Sequence, residues 1–153
     1  MHSYEINKAS KERLEAFDKS SQRHLDDLFL LITSRGGNIS NVKKPSYEDH
    51  LDFCLNNPYR YWLLYYQSDK FMGAIYITNE NVIGINFFNY QSDCAKKALM
   101  FIIEHFEPAP EIKSVVPDSF YCNIAPKNKD LIKLVKSLNA KLTQSSYKFC
   151  KRK

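Results

Sequence analysis

Three runs of aromatic and β-branched residues follow one another almost without interruption: YRYWLLYY, FMGAIYIT and VIGINFFNY, separated only by QSDK and NEN. Side chains that branch at Cβ or carry rings favour a pleated, half-buried surface, and the two separating stretches have the polar composition of tight turns. The alternation and the two turns predict sequential antiparallel strands over residues 59–67, 71–78 and 82–89. A meander of this kind buries one hydrophobic face on each side only if helices cover it, so the rest of the chain is read for helices.

Residues 10–35 carry Leu14, Phe17, Leu25, Leu28 and Ile32 at three- and four-residue spacings and stop at Gly36-Gly37, predicting one long amphipathic helix or two short ones. SYEDHLDFCLNN opens on Ser46 with Asp49 three residues later, a capping-box signal, and Pro58 closes it. After the meander, Ala95, Ala98, Leu99, Ile102 and Phe106 form one stripe, predicting a helix from about 93 to 106 packed across the sheet. A fifth strand is expected within SVVPDSFYCNIA, with Pro117 marking a bulge or interruption. Asn128 caps a further helix carrying Leu131, Leu134, Val135 and Leu138, Asn139 is its left-handed stop, and KLTQSSYKFCK is expected as a final strand. The predicted order is helix, helix, three strands, helix, strand, helix, strand, in a single domain over 1–153.

Composition limits what such a domain does. The apolar fraction of 44% and charged fraction of 25% are those of an ordinary globular protein, and no apolar run approaches the roughly 18 residues of a membrane span. The N-terminal MHSYEINKASKERLEAF lacks the apolar segment of a signal peptide, so a cytoplasmic protein without membrane partners is expected. Cys54, Cys94, Cys122 and Cys150 lie far apart with no C-x-x-C pair, predicting reduced, mostly packed thiols. His24, His50 and His105 have no metal-site spacing and read as surface or half-buried side chains. The net charge of +5 is uneven, with lysines clustered in KNKDLIKLVK and at the terminal KRK, which permits an anionic ligand.

The strand-to-helix stretch GINFFNYQSDCAKKAL, followed later by APKNKDLIKLVKSLNAKL, resembles two segments of the GNAT (Gcn5-related N-acetyltransferase) superfamily, and the resemblance covers nearly the whole chain from Ser3. The first family segment binds acetyl-CoA and reads Gln or Arg, two residues, Gly, one residue, then Gly or Ala. Gln91 matches its opening position, Cys94 and Lys96 stand where small residues belong, and Ala95 serves as the last of them if one residue is deleted. In the later segment Pro126 and Asn128 match the Pro-x-Asn start, while Asn139 and Ala140 replace a closing Gly-Phe. The resemblance implies an α/β (α+β) fold: a central, mostly antiparallel mixed sheet with helices on both faces.

It also implies a site. Acetyl-CoA, the cosubstrate, would lie against Phe87 and Phe88 at the end of the third strand and along the turn of Gln91, Ser92, Cys94, Ala95 and Lys96, with Asn128 near its pantetheine arm. Amides at the start of a helix suit a pyrophosphate because they are unpaired donors at the positive end of the helix dipole. Asp93 places a negative charge there and also suits a helix cap, so weak binding is expected. An acid for the leaving thiolate is needed, and Val135 stands where the family often carries a tyrosine. Tyr147, then Tyr121, are the substitutes, and Glu80 is a candidate remote base acting through water. Cys122, with no histidine paired to it, reads as structural.

Three functions follow in order. The first is acetyl transfer to a primary amine of a small molecule, such as an amino sugar, or of a peptide. The second is a GNAT-like module that binds without catalysis, favoured by the missing glycines and Val135. The third is single-stranded nucleic-acid binding by aromatic strands beside lysines, which ranks last because alternating strand aromatics mostly enter the core. The acceptor pocket of this fold is built by the first two helices and their connection, whose residues do not specify a ligand. Aromatic edge strands allow a homodimer.

Overall fold

The N-terminal segment is a β-hairpin, not the start of a helix. In the computed structural model, which describes residues 2–34, 44–88 and 92–152, β1 (Ser3–Asn7) and β2 (Glu12–Ala16) pair antiparallel around a turn in which Lys11 takes φ 53°. Helix α1 (Gln22–Ser34) follows, so the expected helix over 10–35 is confined to its second half. Helix α2 (Tyr47–Leu55) is capped as its sequence requires: the Ser46 hydroxyl accepts the Asp49 amide at 3.1 Å.

The three aromatic runs form β3 (Tyr61–Gln67), β4 (Lys70–Ile77) and β5 (Ile83–Phe87), and the five strands assemble in the order β1-β2-β3-β4-β5, every pair antiparallel. Alternation divides the sheet into two faces. Leu14, Leu63, Tyr65 and Ile75 point to the side covered by α3 (Ser92–His105), whose Ala95, Ala98, Leu99 and Ile102 are buried. Leu64, Tyr66 and Ala74 point the other way and pack with Leu25, Leu28 and Leu31 of α1 and Cys54 of α2. Helices thus cover both faces, as the sequence reading expected. A bulge at Tyr65/Tyr66 places Met72 as an extra residue in β4 and keeps Phe71 on the α1 side.

Beyond α3 the sequence reading departs from the structure. The expected fifth strand reduces to two isolated bridges, Val116 with Ile112 and, in parallel, Tyr121 with Val82, with Tyr121 N–H donating to Asn81 O at 2.9 Å and Ile83 N–H donating to Tyr121 O at 2.7 Å. Pro117 and the polar residues around it supply too few apolar side chains for a longer ladder. Residues Met1–Asn123 form one compact unit and Ile124–Lys153 a second. Within the second, α4 (Lys129–Ser137) starts on Asn128, whose side chain accepts the Leu131 amide at 3.1 Å, and stops at Asn139 with φ 65°. Among the described residues, 141–152 form no strand, against the expectation for KLTQSSYKFCK, and Leu142, Tyr147 and Phe149 are exposed.

Candidate functional site

Two features meet at β5. The first is its open edge. Because Ile83 donates outward to Tyr121 while Phe88 N–H donates to Met72 O, the main-chain groups of Ile85 and Phe87 face away from the sheet, at the edge strand. The first turn of α3 follows, and the amides of Ser92 and Asp93 have no helical carbonyl four residues before them. Ser92 is exposed there, whereas the side chains of Cys94 and Ala95 are buried and Lys96 is half-buried. Gln91 lies outside the described residues.

The charge around this turn is less favourable to an anion than the lysine count suggests. Lys97 donates to both oxygens of Glu12 at 2.9 Å, and Glu12 also accepts from Tyr65 OH at 2.8 Å and Ser10 Oγ at 2.5 Å. Burial pushes the Glu12 carboxyl up, but these donors outweigh it and hold it below its ordinary value of 4.5. The Lys97 charge is therefore committed to β2, leaving Lys96 beside the negative Asp93.

The second feature is a cavity of about 430 Å³ on the opposite face, between α1, α2 and the sheet. Phe53, Tyr59, Trp62 and Tyr76 supply aromatic walls, and Asp49 and Asn86 the polar groups. Trp62 and Tyr76 are cross-strand partners, and Tyr76 lies over Gly84, where any Cβ would fall within its ring. Asn86 belongs to β5, so the cavity reaches the strand whose next residue, Phe87, turns its main chain to the open edge. Phe88 packs against the α1-side core, edge-on to Phe71 at 5.7 Å.

His50 also borders the cavity, and it is buried, not surface or half-buried as expected from the sequence. Its Nε2–H donates to Leu25 O at 2.8 Å and its ring lies beside Cys54 Sγ, which ties α2 to α1. His24 is likewise buried: Asp18 N–H donates to its Nδ1 at 3.1 Å, so Nε2 carries the proton and donates to Glu15 at 2.9 Å. Arg13 braces Glu15 from the other side at 2.8 Å.

Of the expected catalytic residues, Glu80 and Tyr121 fall on neighbouring main-chain segments, because Tyr121 pairs on both sides of Val82. Glu80 is exposed in the turn after β4, and the Tyr121 side chain is about a third exposed. Tyr147 lies in the second unit and is 84% exposed. Burial pushes the Cys122 thiol up to about 11, so it is a neutral thiol at physiological pH and no ready nucleophile. Among the described residues no cluster of three or more His, Cys, Asp or Glu could hold a metal ion, and no helix is long and apolar enough to cross a membrane.

No protein-family model matches the chain, nor does any curated protein. Solved structures do match over nearly its full length, and they define the class of fold: that of the acetyltransferases. An aminoglycoside acetyltransferase from an uncultured soil metagenomic sample, solved in complex with sisomicin, superposes with a TM-score of 0.61 at 9% identity, covering 94% of this chain and 99% of its own. A possible acetyltransferase from Clostridium difficile 630 gives 0.57 at 12% identity over 93% and 99%. An integron cassette protein from the mobile metagenome of V. cholerae gives 0.60 at 15% identity over 92% and 93%.

Proposed function

We propose that this protein transfers an acetyl group from acetyl-CoA to a primary amine. The observation that carries this reading is the meeting, on β5, of an open strand edge leading to a helix N-terminus with a cavity on the adjoining face. Outward main-chain groups of Ile85 and Phe87 suit the amides of a pantetheine arm, and the first-turn amides of α3 suit its pyrophosphate. Lys96 adds to that attraction and Asp93 opposes it. The amine enters from the cavity, its nitrogen forms a bond to the thioester carbon, and the carbon–sulfur bond breaks. The nitrogen gives up a proton, through water, toward Glu80, and the thiolate takes one from Tyr147 or Tyr121. The protein is then a cytoplasmic acyltransferase.

The test is thiol release with acetyl-CoA and a panel of amines. Tyr147→Phe, or failing that Tyr121→Phe, is expected to lower turnover by about 10² to 10⁴ with acetyl-CoA affinity nearly unchanged, and Asp93→Asn to tighten CoA binding. Unchanged turnover in both tyrosine variants rejects the acid assignment. No turnover of the parent with any amine favours the second reading, a binding module, for which the commitment of Lys97 to Glu12 speaks. The nucleic-acid reading is not carried further, since Tyr65 and Tyr66 at the centre of the aromatic strands are fully buried and offer no face to a base.

A further inference from the structure

The walls of the cavity say what kind of amine it suits. Phe53, Tyr59 and Trp62 stand mutually near-perpendicular: Tyr59 to Trp62 at 83° and 5.1 Å between centroids, Phe53 to Trp62 at 79° and 5.9 Å, Phe53 to Tyr59 at 70° and 5.9 Å. Tyr76 extends the wall by stacking on Tyr59 at 4.0 Å. Three rings set as the faces of a corner present π-surface to an ammonium and apolar surface to a flat body.

The charged and amide groups are few. Asp49 is the sole acid on the cavity wall, and among the described residues its carboxylate makes no hydrogen bond or ion pair. Asn86 offers one amide. His50 is already committed to Leu25 O. One carboxylate balances one cation. An amino sugar brings several ammonium groups and a ring of hydroxyls, more than one carboxylate and one amide can pair.

Building on the acetyl-transfer reading, we propose that the acceptor is an arylalkyl monoamine, bound with its ring among Phe53, Tyr59, Trp62 and Tyr76 and its ammonium at Asp49. This departs from the amino-sugar acceptor considered from the sequence.

Trp62 is the only tryptophan of the chain and forms part of the corner, so its fluorescence reports occupancy without any acetyl-CoA present. The full-length protein is titrated with 2-phenylethylamine, with neutral 2-phenylethanol and with sisomicin. Saturable quenching by the amine, about tenfold tighter than by the alcohol, is expected from the cation's attraction to the rings and to Asp49. Asp49→Asn should erase that tenfold preference while leaving the alcohol unaffected. The variant keeps the helix cap, because Ser46 holds the Asp49 main-chain amide, not its carboxylate. Equal binding of amine and alcohol, tighter binding of sisomicin, or an unchanged preference in Asp49→Asn overturns the proposal. Adding acetyl-CoA separates the two readings: saturable amine binding without thiol release removes acetyl transfer and leaves the cavity's ligand class standing. Thiol release with sisomicin and none with phenylethylamine removes the ligand class alone.

Discussion

The two faces of the sheet are finished differently. On the α3 side, small and branched residues fill the space, and the one buried carboxylate, Glu12, is saturated by Lys97, Tyr65 and Ser10. On the α1 and α2 side the buried Glu15 is likewise saturated, by His24 and Arg13, but rings also meet near right angles around a cavity whose one carboxylate, the exposed Asp49, has no protein partner among the described residues. A saturated carboxylate serves stability. An exposed one without a protein partner, at the wall of a cavity, is available for a ligand, and the contrast separates the residues that hold the fold from those that face a substrate.

The largest expected break in this contrast is Glu12→Ala. It strands the hydroxyl of fully buried Tyr65, while the exposed Lys97 returns to water, and should cost about 2 kcal/mol, read as a lower midpoint in urea unfolding. A loss below about 0.5 kcal/mol would mean that the α3 face does not depend on this network. Acid should act in the same place. Glu12 and Glu15 both have folded values held below 4.5, so they add stability above that value and lose it as pH falls through their lowered folded values. The parent should therefore lose stability on acidification below about pH 4.5, and Glu12→Ala should lose less of it.

Gly84→Ala sharpens the comparison from the other side. Its Cβ would displace the Tyr76 ring, which is stacked on Tyr59, at a cost of about 1–2 kcal/mol for overpacking. The ring has only the cavity to move into. Binding of a cavity ligand should weaken several-fold while CoA binding stays unchanged, and calorimetry with each ligand distinguishes the two.

The smallest effect concerns thiols. Cys150 is exposed, whereas burial pushes Cys54 up to about 11 on the α1 side and raises Cys94 on the α3 side. A maleimide should label Cys150 first in the folded protein, as peptide mapping will show. Early labelling of Cys54 would reveal that the cavity face opens.

What the sequence disclosed depended on whether neighbours in the chain also supply the partners. β3, β4, β5 and α3 were legible because their alternation and stripe are local, and the caps at Ser46 and Asn128 because a cap is a three-residue event. The β1–β2 hairpin was not. Its inward positions include Glu12 and Glu15, which read as solvent-facing until Lys97 and His24 arrive from elsewhere, and Leu14 and Phe17 alone mimic a helical spacing. The aromatic cavity was hidden for the opposite reason: its rings belong to runs that look like core, and only the placement of α2 shows which of them are left uncovered. KLTQSSYKFCK has a strand's composition, but composition does not provide a neighbouring strand to pair with.

Asn81 sits at φ 66° in the turn between β4 and β5, and it is completely buried. Its side-chain amide donates to Ala109 O at 3.0 Å and Pro117 O at 2.8 Å, and its Oδ1 accepts the Ala109 amide at 2.6 Å. The stretch from Phe106 to Asn123 has no helix or strand of its own, so this one side chain stands in for the ladder it lacks. In the language of hydrogen exchange, the amides of Ala109, Tyr121 and Ile83 should then open together, at one free energy below that of the sheet. Replacing Asn81 would convert this edge of the protein from a protected segment into one that exchanges independently, beside a sheet whose own protection is untouched.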